Sequence, residues 1–345
     1  MPLNLKNDLQ IARLAADLRL RHDGDPVAAV LAYCNRKVHA IFNEFRSATL
    51  TDLLTATAAR LDTLFIEIHG DADIERLRRE HLTEEELVSG RLDHDLTPDV
   101  YAITYQRRQP AAGDRRFVSV IDCRGEKAAR VYFSKWHELA HLLTLTPQGR
   151  LTFRRTHAER NAKDPEEALM DLIAGDVGFF RRLVRAHANG PVSFEKISAL
   201  RQRLCPEASQ EASMRGFVKA WPTPCLLVQA RLGLKAPDAR GNPQPRLAFG
   251  EGPAPTLRAV QVTANDGADA LGLFIPRNMR IPERSTIARV LDCEEDAAAL
   301  EAEEDLAWWV SSGGSRLDPR PVLVKARRRW ELAEALILPL GPNSS

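Results

Sequence analysis

Two histidines and a glutamate stand close together in the segment His137-Glu-Leu-Ala-His141. In a helix, side chains four positions apart lie on the same face, one turn from each other, so both imidazoles can bind one metal ion. Glu138 directly follows the first histidine, where its carboxylate can reach a water molecule on that ion without binding the ion itself. The spacing therefore predicts metal-assisted hydrolysis, the chemistry of zinc-dependent peptide hydrolases.

The surrounding residues predict the helix that this motif needs. Apolar residues recur around the histidines at helical spacing, and neither Pro nor Gly occurs between Glu126 and Thr146. The helix is expected to begin at Ser134, which could cap it, or nearer Ala129. The alternative interpretation is a pair of surface histidines that flank a glutamate by coincidence, and a third metal ligand would argue against it.

The next amphipathic segment is the expected source of that third ligand. Asp164 and Pro165 predict the start of a helix. Glu166 and Glu167 both lie in its first turn, where acidic side chains also interact favourably with the helix dipole. From the spacing alone, either carboxylate could be a metal ligand or only an N-terminal charge.

At this point a family resemblance can be stated. The run Arg130-Val-Tyr-Phe-Ser-Lys-Trp-His-Glu-Leu-Ala-His-Leu-Leu143 resembles the active helix of the ImmA/IrrE metallopeptidases, with Ala140 where the family usually has Gly. The run Glu167-Ala-Leu-Met-Asp-Leu-Ile-Ala174 is similar to the family's second signature, in which a Glu precedes an Asn or Asp by four residues. Aligning the two on Asp171 selects Glu167, rather than Glu166, as the third ligand.

The resemblance covers roughly residues 50–235, and Phe117-Val-Ser-Val-Ile121 resembles the strand before the metal helix. The family's Leu-Leu-x-Pro ending of the second helix is absent, and Gly178-Phe-Phe-Arg-Arg182 stands there instead. The resemblance implies a cytosolic zinc endopeptidase. Its substrate would be a helix-turn-helix repressor encoded nearby, cleaved to relieve repression under stress or in mobile-element and phage-defence settings.

The expected site holds one Zn2+ per chain, bound by His137, His141 and Glu167, with one position open for water. Zinc lowers the pKa of that water, and Glu138 accepts its proton during attack on a peptide carbonyl. A residue that stabilises the oxyanion is also expected, and the candidates are Tyr101, Tyr105, Arg130 and Tyr132.

Two further residues are candidates near the metal. Asp171 lies one turn beyond Glu167 and could bind a ligand imidazole from its other side, or it could be only a polar helix residue. Cys123 ends the strand before the metal helix. It could occupy the open coordination position and keep the enzyme latent, or it could be a small buried thiol. The remaining histidines, His69 among them, show no ligand spacing and are expected to be surface residues or to have ordinary partners.

Composition sets broad limits on the class of protein. The chain has 345 residues, a net charge of +1 and 44% hydrophobic residues, which is typical of a soluble globular protein with no overall bias toward nucleic acid or anionic membrane. Five scattered cysteines argue against a disulfide framework. The N-terminal residues lack a signal-peptide core, and no apolar run of about 18 residues occurs, so a cytoplasmic protein without a membrane partner is expected.

The pattern along the chain predicts an α+β fold in two domains. Residues 1–235 would form the metallopeptidase domain, a small zincin with N-terminal helices, strands near 63–69, 100–105 and 117–121 in a mixed sheet, and the metal-bearing helices. Residues 236–256 are rich in Pro and Gly and are interpreted as a linker. Residues 257–345 would form an α+β sensor or regulatory domain, GAF-like by architecture, that binds nucleic acid or a small ligand as activator.

Several local predictions accompany this outline. A helical stretch is expected near residues 193–234, a strand at 271–275 and a helix with an acidic face at 294–304. Short arginine clusters at 154–155, 181–185 and 327–329 could line a groove for nucleic acid, although such clusters are more often solvated faces. The alternatives to a peptidase are therefore a non-catalytic sensor with a structural zinc site and a protein that mainly binds nucleic acid.

Overall fold

The structure is a computed structural model. It describes residues 5–80, 96, 100–107, 110–146, 153–156, 164–234, 254–293, 295, 298–311 and 313–340. Helices and two sheets are both present, which confirms the predicted α+β class. The chain divides into two compact units. The first contains Met1–Leu183 and Ala199–Gly216, and the second contains Val184–Ser198 and Phe217–Ser345.

The first unit begins with three helices, α1 (Leu9–Asp17), α2 (Pro26–Phe45) and α3 (Leu50–Arg60). Each starts at a residue whose side chain accepts hydrogen bonds from free backbone N–H groups, namely Asp8, Asp25 and Thr49. The predicted apolar periodicity becomes their buried face, and α2 packs against both α1 and α3.

The first sheet is mixed, as predicted. It contains β1 (Thr63–Ile68), β2 (Val100–Gln106), β3 (Phe117–Asp122) and β4 (Phe153–Thr156) in the order β1-β3-β2-β4. Strand β3 pairs parallel to β1 and antiparallel to β2, and all six of its residues are buried. Helix α4 (Asp71–Glu80) follows β1 and packs against it. A central strand buried on both faces fits the β-branched sequence of β3.

The two predicted metal-bearing helices pack against each other. A 3-10 segment at Gly125–Arg130 leads into α5 (Val131–Leu143), which therefore begins between the two predicted starting points, and Ser134 lies inside the helix. Helix α6 (Pro165–Val177) begins at the predicted cap, because the Asp164 side chain accepts a hydrogen bond from the Glu166 N–H. Three helices follow α6 along the chain: α7 (Arg181–His187), α8 (Phe194–Leu204) and α9 (Gln210–Ala220).

The second sheet is antiparallel throughout. Its strands are β5 (Leu226–Gly233), β6 (Thr256–Ala264), β7 (Ala299–Asp305), β8 (Pro321–Arg329) and β9 (Leu332–Pro339), in the order β6-β5-β9-β8-β7. Two short helices, α10 (Asp266–Ala270) and α11 (Thr286–Arg289), accompany it, and α11 packs against β7, β8 and β9. Trp309 and the apolar residues of β5, β8 and β9 form its core.

The predicted boundary at residue 235 and the linker at 236–256 need correction. Strand β5 pairs with β6 so that Gly233 lies opposite Thr256. The Pro/Gly-rich segment therefore joins two neighbouring strands of one sheet, and the second unit already includes β5. Residues 235–253 themselves lie outside the described residues.

Three local predictions in the second unit were also wrong. The stretch near 193–234 is not helical to its end, because Leu226–Gly233 is strand β5. Residues 271–275 form no strand, since Gly272 adopts a positive φ of 63° in a turn. The acidic segment expected to be helical contains β7, whose residues alternate between exposed and partly buried positions along most of an edge strand.

Among the helices in the described ranges, none combines the length and the apolar character needed to cross a lipid bilayer.

Candidate metal centre

Helices α5 and α6 bring together the three residues predicted as metal ligands. His137 Nε2 lies 3.2 Å from His141 Nε2. One oxygen of Glu167 lies 3.1 Å from His137 Nε2, and the other lies 3.3 Å from His141 Nε2. Two nitrogens and a carboxylate thus converge on one point, as the sequence predicts.

The helical positions of these residues explain the convergence. His137 and His141 are one turn apart on the face of α5 that packs against α6, and each is only 1% exposed. Glu167 lies in the first turn of α6, and 33% of its side chain remains exposed. The two imidazoles therefore form the buried wall of the site, and Glu167 lies on its accessible side.

The geometry fits a tetrahedral metal ion. Ligand atoms about 2.0–2.1 Å from a zinc ion at tetrahedral angles lie about 3.3 Å from one another. The two imidazole nitrogens are 3.2 Å apart, which agrees with this value. Each nitrogen also has one oxygen of Glu167 at ligand spacing, Oε2 at 3.1 Å from His137 and Oε1 at 3.3 Å from His141. The donor set of two imidazoles and one carboxylate leaves a fourth position open, which is the arrangement of catalytic rather than structural zinc sites.

The electrostatics also favour a cation at this point. Burial raises the pKa of Glu167, but hydrogen bonds from His137 and His141 outweigh that effect and lower it to about 2. Glu167 is therefore a carboxylate at neutral pH. A second acidic residue, Glu166, does not join the cluster, and burial raises its pKa instead. The structure thus selects Glu167 of the two residues that the spacing had left open.

Asp171 contacts the first histidine from its other side. Its Oδ1 lies 3.0 Å from His137 Nδ1. When a metal binds, Nε2 would give up its hydrogen bond to Glu167 and direct its lone pair at the ion, while a proton on Nδ1 keeps the hydrogen bond to Asp171. The structure thus places Asp171 where a metal-binding imidazole usually has its supporting carboxylate, as predicted.

Glu138 is completely buried beside the sheet. Its Oε2 accepts a hydrogen bond of 2.6 Å from the Thr104 hydroxyl, and the Thr104 oxygen lies 2.6 Å from Ser119 Oγ. Its Oε1 has no hydrogen-bond partner among the described residues. A buried carboxylate oxygen without a partner is costly, and a catalytic role or a bound ion is one explanation for such a group.

Sequence reasoning missed Thr104 and Ser119. They face each other on β2 and β3, and both are fully buried. The available signal was a small hydroxyl side chain in the interior of each strand. Only the pairing register shows that the two hydroxyls meet under Glu138.

Cys123 does not lie where the latency hypothesis requires. Its Sγ is not among the donor atoms that converge around His137, His141 and Glu167. Instead it lies within 4.8 Å of donor atoms of Glu67 and His69, and burial raises the pKa of its thiol to about 12. The reason is that Cys123 follows the end of β3, beside the end of the parallel strand β1.

The four candidates for stabilising the oxyanion differ in the contacts that they make. The Tyr132 hydroxyl donates a hydrogen bond of 2.5 Å to the Gly178 carbonyl, and burial raises its pKa well above the ordinary value. Tyr105 packs in the core of the first sheet. The Arg130 guanidinium stacks over the ring of Tyr101, with 5.0 Å to the ring centroid. The Tyr132 hydroxyl is thus already bound to a backbone carbonyl of the fold.

Two of the arginine clusters make internal contacts. Arg327 forms an ion pair of 2.6 Å with the fully buried Glu334. Arg182 contacts His39 Nε2 at 2.8 Å and the side-chain oxygen of Asn43 at 3.1 Å. The side chains at 154–155 lie outside the described residues. These contacts give Arg327 and Arg182 roles within the fold.

Comparisons with known proteins returned no match, either to a protein-family model or to a curated protein sequence. The argument about function therefore depends on the residues of the site and on their geometry.

Proposed function

We propose that the protein is a zinc-dependent endopeptidase of the ImmA/IrrE type. The observation that supports this most directly is the convergence of His137, His141 and Glu167 at separations of 3.1–3.3 Å. The buried carboxylate of Glu138 is adjacent in sequence to the first of these ligands. A metal site open at one position, with a carboxylate beside it, is the arrangement that water-activating hydrolases use.

The residues would divide the reaction as follows. Zinc, when bound, polarises the substrate carbonyl and lowers the pKa of a water molecule toward neutrality. Asp171 keeps the His137 imidazole in the tautomer that binds metal. Glu138 would accept the water proton at Oε1, which has no hydrogen-bond partner among the described residues, and would then transfer it to the nitrogen of the leaving amine. Thr104 meanwhile binds Oε2 and holds the carboxylate in place.

The substrate and setting are proposed from the resemblance. The substrate would be a helix-turn-helix repressor encoded nearby, cleaved in the cytoplasm during a stress, mobile-element or phage-defence response. The second unit would be a GAF-like sensor for nucleic acid or a small ligand. Its five antiparallel strands occupy the order 2-1-5-4-3 when counted within that sheet, which is compatible with such a sensor architecture.

The proposal can be tested by co-expression with the neighbouring repressor-like protein, followed by intact-protein mass spectrometry with and without DNA damage. Wild type should yield specific fragments of the repressor, and Glu138→Gln should yield none while retaining its zinc, a loss of about 10²–10⁴-fold in rate. Glu166→Gln is the matched control, because this carboxylate is adjacent to Glu167 but outside the donor cluster. Equal fragmentation by Glu138→Gln, or no fragmentation by zinc-loaded wild type in both conditions, would contradict the proposal.

A further inference from the structure

A second group of potential metal ligands lies where strands β1 and β3 of the first sheet end. Strands β1 and β3 are parallel, with Ile68 opposite Asp122, so His69 and Cys123 leave the sheet side by side. The Cys123 N–H donates a hydrogen bond of 2.8 Å to the Ile68 carbonyl, which fixes this arrangement. Glu67 lies two residues before His69, and residues two apart in an extended segment project to the same side.

The side chains of Glu67, His69 and Cys123 converge there. Each offers one donor atom, and all of these atoms lie within 4.8 Å of one another. His69 Nε2 and Glu67 Oε2 are already 3.2 Å apart. The thiol is 4% exposed, whereas the side chains of His69 and Glu67 are 64% and 37% exposed. One ligand is thus fixed in the protein interior, and the other two can adjust around an ion that arrives from solvent.

We propose that Glu67, His69 and Cys123 form a second metal site, separate from the one on α5 and α6 and specific for a borderline-soft divalent cation such as Zn2+. Sulfur, imidazole nitrogen and carboxylate oxygen are the three donor types that zinc binds, and a thiolate disfavours Mg2+ and Ca2+. Tetrahedral zinc requires about 3.6 Å between a sulfur and a nitrogen ligand. The observed separations are within 4.8 Å, so the side chains of Glu67 and His69 need to close on Cys123 by at most about 1.2 Å.

The ammonium group of Lys135, which contacts Glu67, does not prevent a metal ion from binding to these three ligands. Lys135 Nζ lies 2.7 Å from Glu67 Oε1, while the other carboxylate oxygen faces His69. One oxygen can therefore keep its ion pair when the other binds metal. On binding, Cys123 gives up its contact with the Ile121 carbonyl and releases its thiol proton to solvent. The ion, the thiolate and the Glu67 carboxylate then sum to zero charge, with Lys135 alongside.

Cobalt(II) is the appropriate probe, because a Co2+–thiolate bond gives a near-ultraviolet charge-transfer band that histidine and carboxylate ligands do not give. The full chain loaded with Co2+ should show this band. Cys123→Ser should lose the band and bind one ion fewer per chain than wild type. Cys293→Ser is the matched control and should keep the band, since Cys293 lies outside the group.

Two variants separate this inference from the proposed function, on which it does not depend. His141→Gln should lose the ion on α5 and α6 but keep the thiolate band. His69→Gln changes an exposed side chain, so it should fold even if Cys123→Ser does not. Because it removes one of the three proposed ligands, the thiolate band should appear only at higher Co2+ concentration than in wild type. A Co2+-loaded wild type without the band, or a band that persists in Cys123→Ser, would overturn the proposal.

Discussion

The contact between Asp171 and His137 is the most direct test of the metal centre at the residue scale. Asp171→Asn keeps the shape of the side chain but removes the charge that orients the imidazole. We expect zinc affinity to fall by about 10–100-fold, because supporting carboxylates of this kind contribute that much to metal sites. Titration with a competing chelator measures the change, and Glu166→Gln on the same helix should leave affinity unaltered. Equal affinities for all three proteins would contradict the assigned role.

The hydrogen bond from Thr104 to Glu138 leads to a second prediction. Thr104→Val preserves the volume of the side chain but removes its hydroxyl. The buried Glu138 carboxylate then loses the one hydrogen bond that it receives from the described residues. The free energy of unfolding should fall by about 1.5–3 kcal/mol, as for hydrogen bonds to charged groups.

Urea denaturation of four proteins tests this coupling: wild type, Thr104→Val, Glu138→Leu and the double variant. Thr104→Val should lower the free energy of unfolding clearly less in the Glu138→Leu background, because no carboxylate there accepts a hydrogen bond from the hydroxyl. Thr104→Ser, which keeps the donor, should be near wild type. An identical cost in both backgrounds would show that the hydroxyl does not act through Glu138.

These residues also show what the sequence can predict at this scale. His137, His141 and Glu138 lie within one helical turn, so their relation follows from helix geometry alone. Glu167 lies on a different helix, and aligning its segment with the family's second signature was enough to select it as the third ligand. Thr104 and Cys123, by contrast, acquire their partners through the pairing of β3 with β2 and with β1, which brings together residues that are distant in the chain.

At the scale of elements, the end of β3 is held by an ion-pair cluster that makes stability depend on pH. Asp122 is buried, and Arg124 and Lys127 contact its carboxylate at 2.8 and 2.6 Å. Burial raises its pKa, but hydrogen bonds from Arg124 and Lys127 outweigh this, and the pKa is lowered overall.

Because the folded pKa lies below the unfolded value of about 3.9, the cluster stabilises the protein above about pH 4. That contribution is lost as the pH falls through the lower, folded pKa. Asp122→Asn should therefore reduce the free energy of unfolding by about 1–3 kcal/mol at pH 7, and the difference should shrink below pH 4. Urea titrations at pH 7 and pH 3 test this, and a difference that grows toward acid would refute it.

The Pro/Gly-rich segment shows the limits of prediction at this scale. Its composition predicts a connection between regular elements, because proline and glycine interrupt helices and strands. Composition does not reveal which elements are connected. Strand β5 pairs with both β6 and β9, and these contacts span the segment and most of the second unit, so only the folded sheet reveals that β5 belongs there.

At the scale of the whole molecule, both candidate metal sites lie in the first unit, and this gives a prediction about where metal acts. Zinc at 100 times its dissociation constant should stabilise the structure that binds it by about 2.7 kcal/mol. Hydrogen exchange read by mass spectrometry should therefore show slower exchange in peptides from α5 and α6 after zinc is added. Exchange should also slow in peptides from the ends of β1 and β3 if zinc binds at the second site.

Peptides from β8 and β9 in the second sheet serve as the internal reference, and their exchange rates should not change. In His141→Gln, the protection of α5 and α6 should disappear while that near Cys123 persists. Equal protection throughout both units would show that zinc acts on the whole chain rather than at these two groups of ligands.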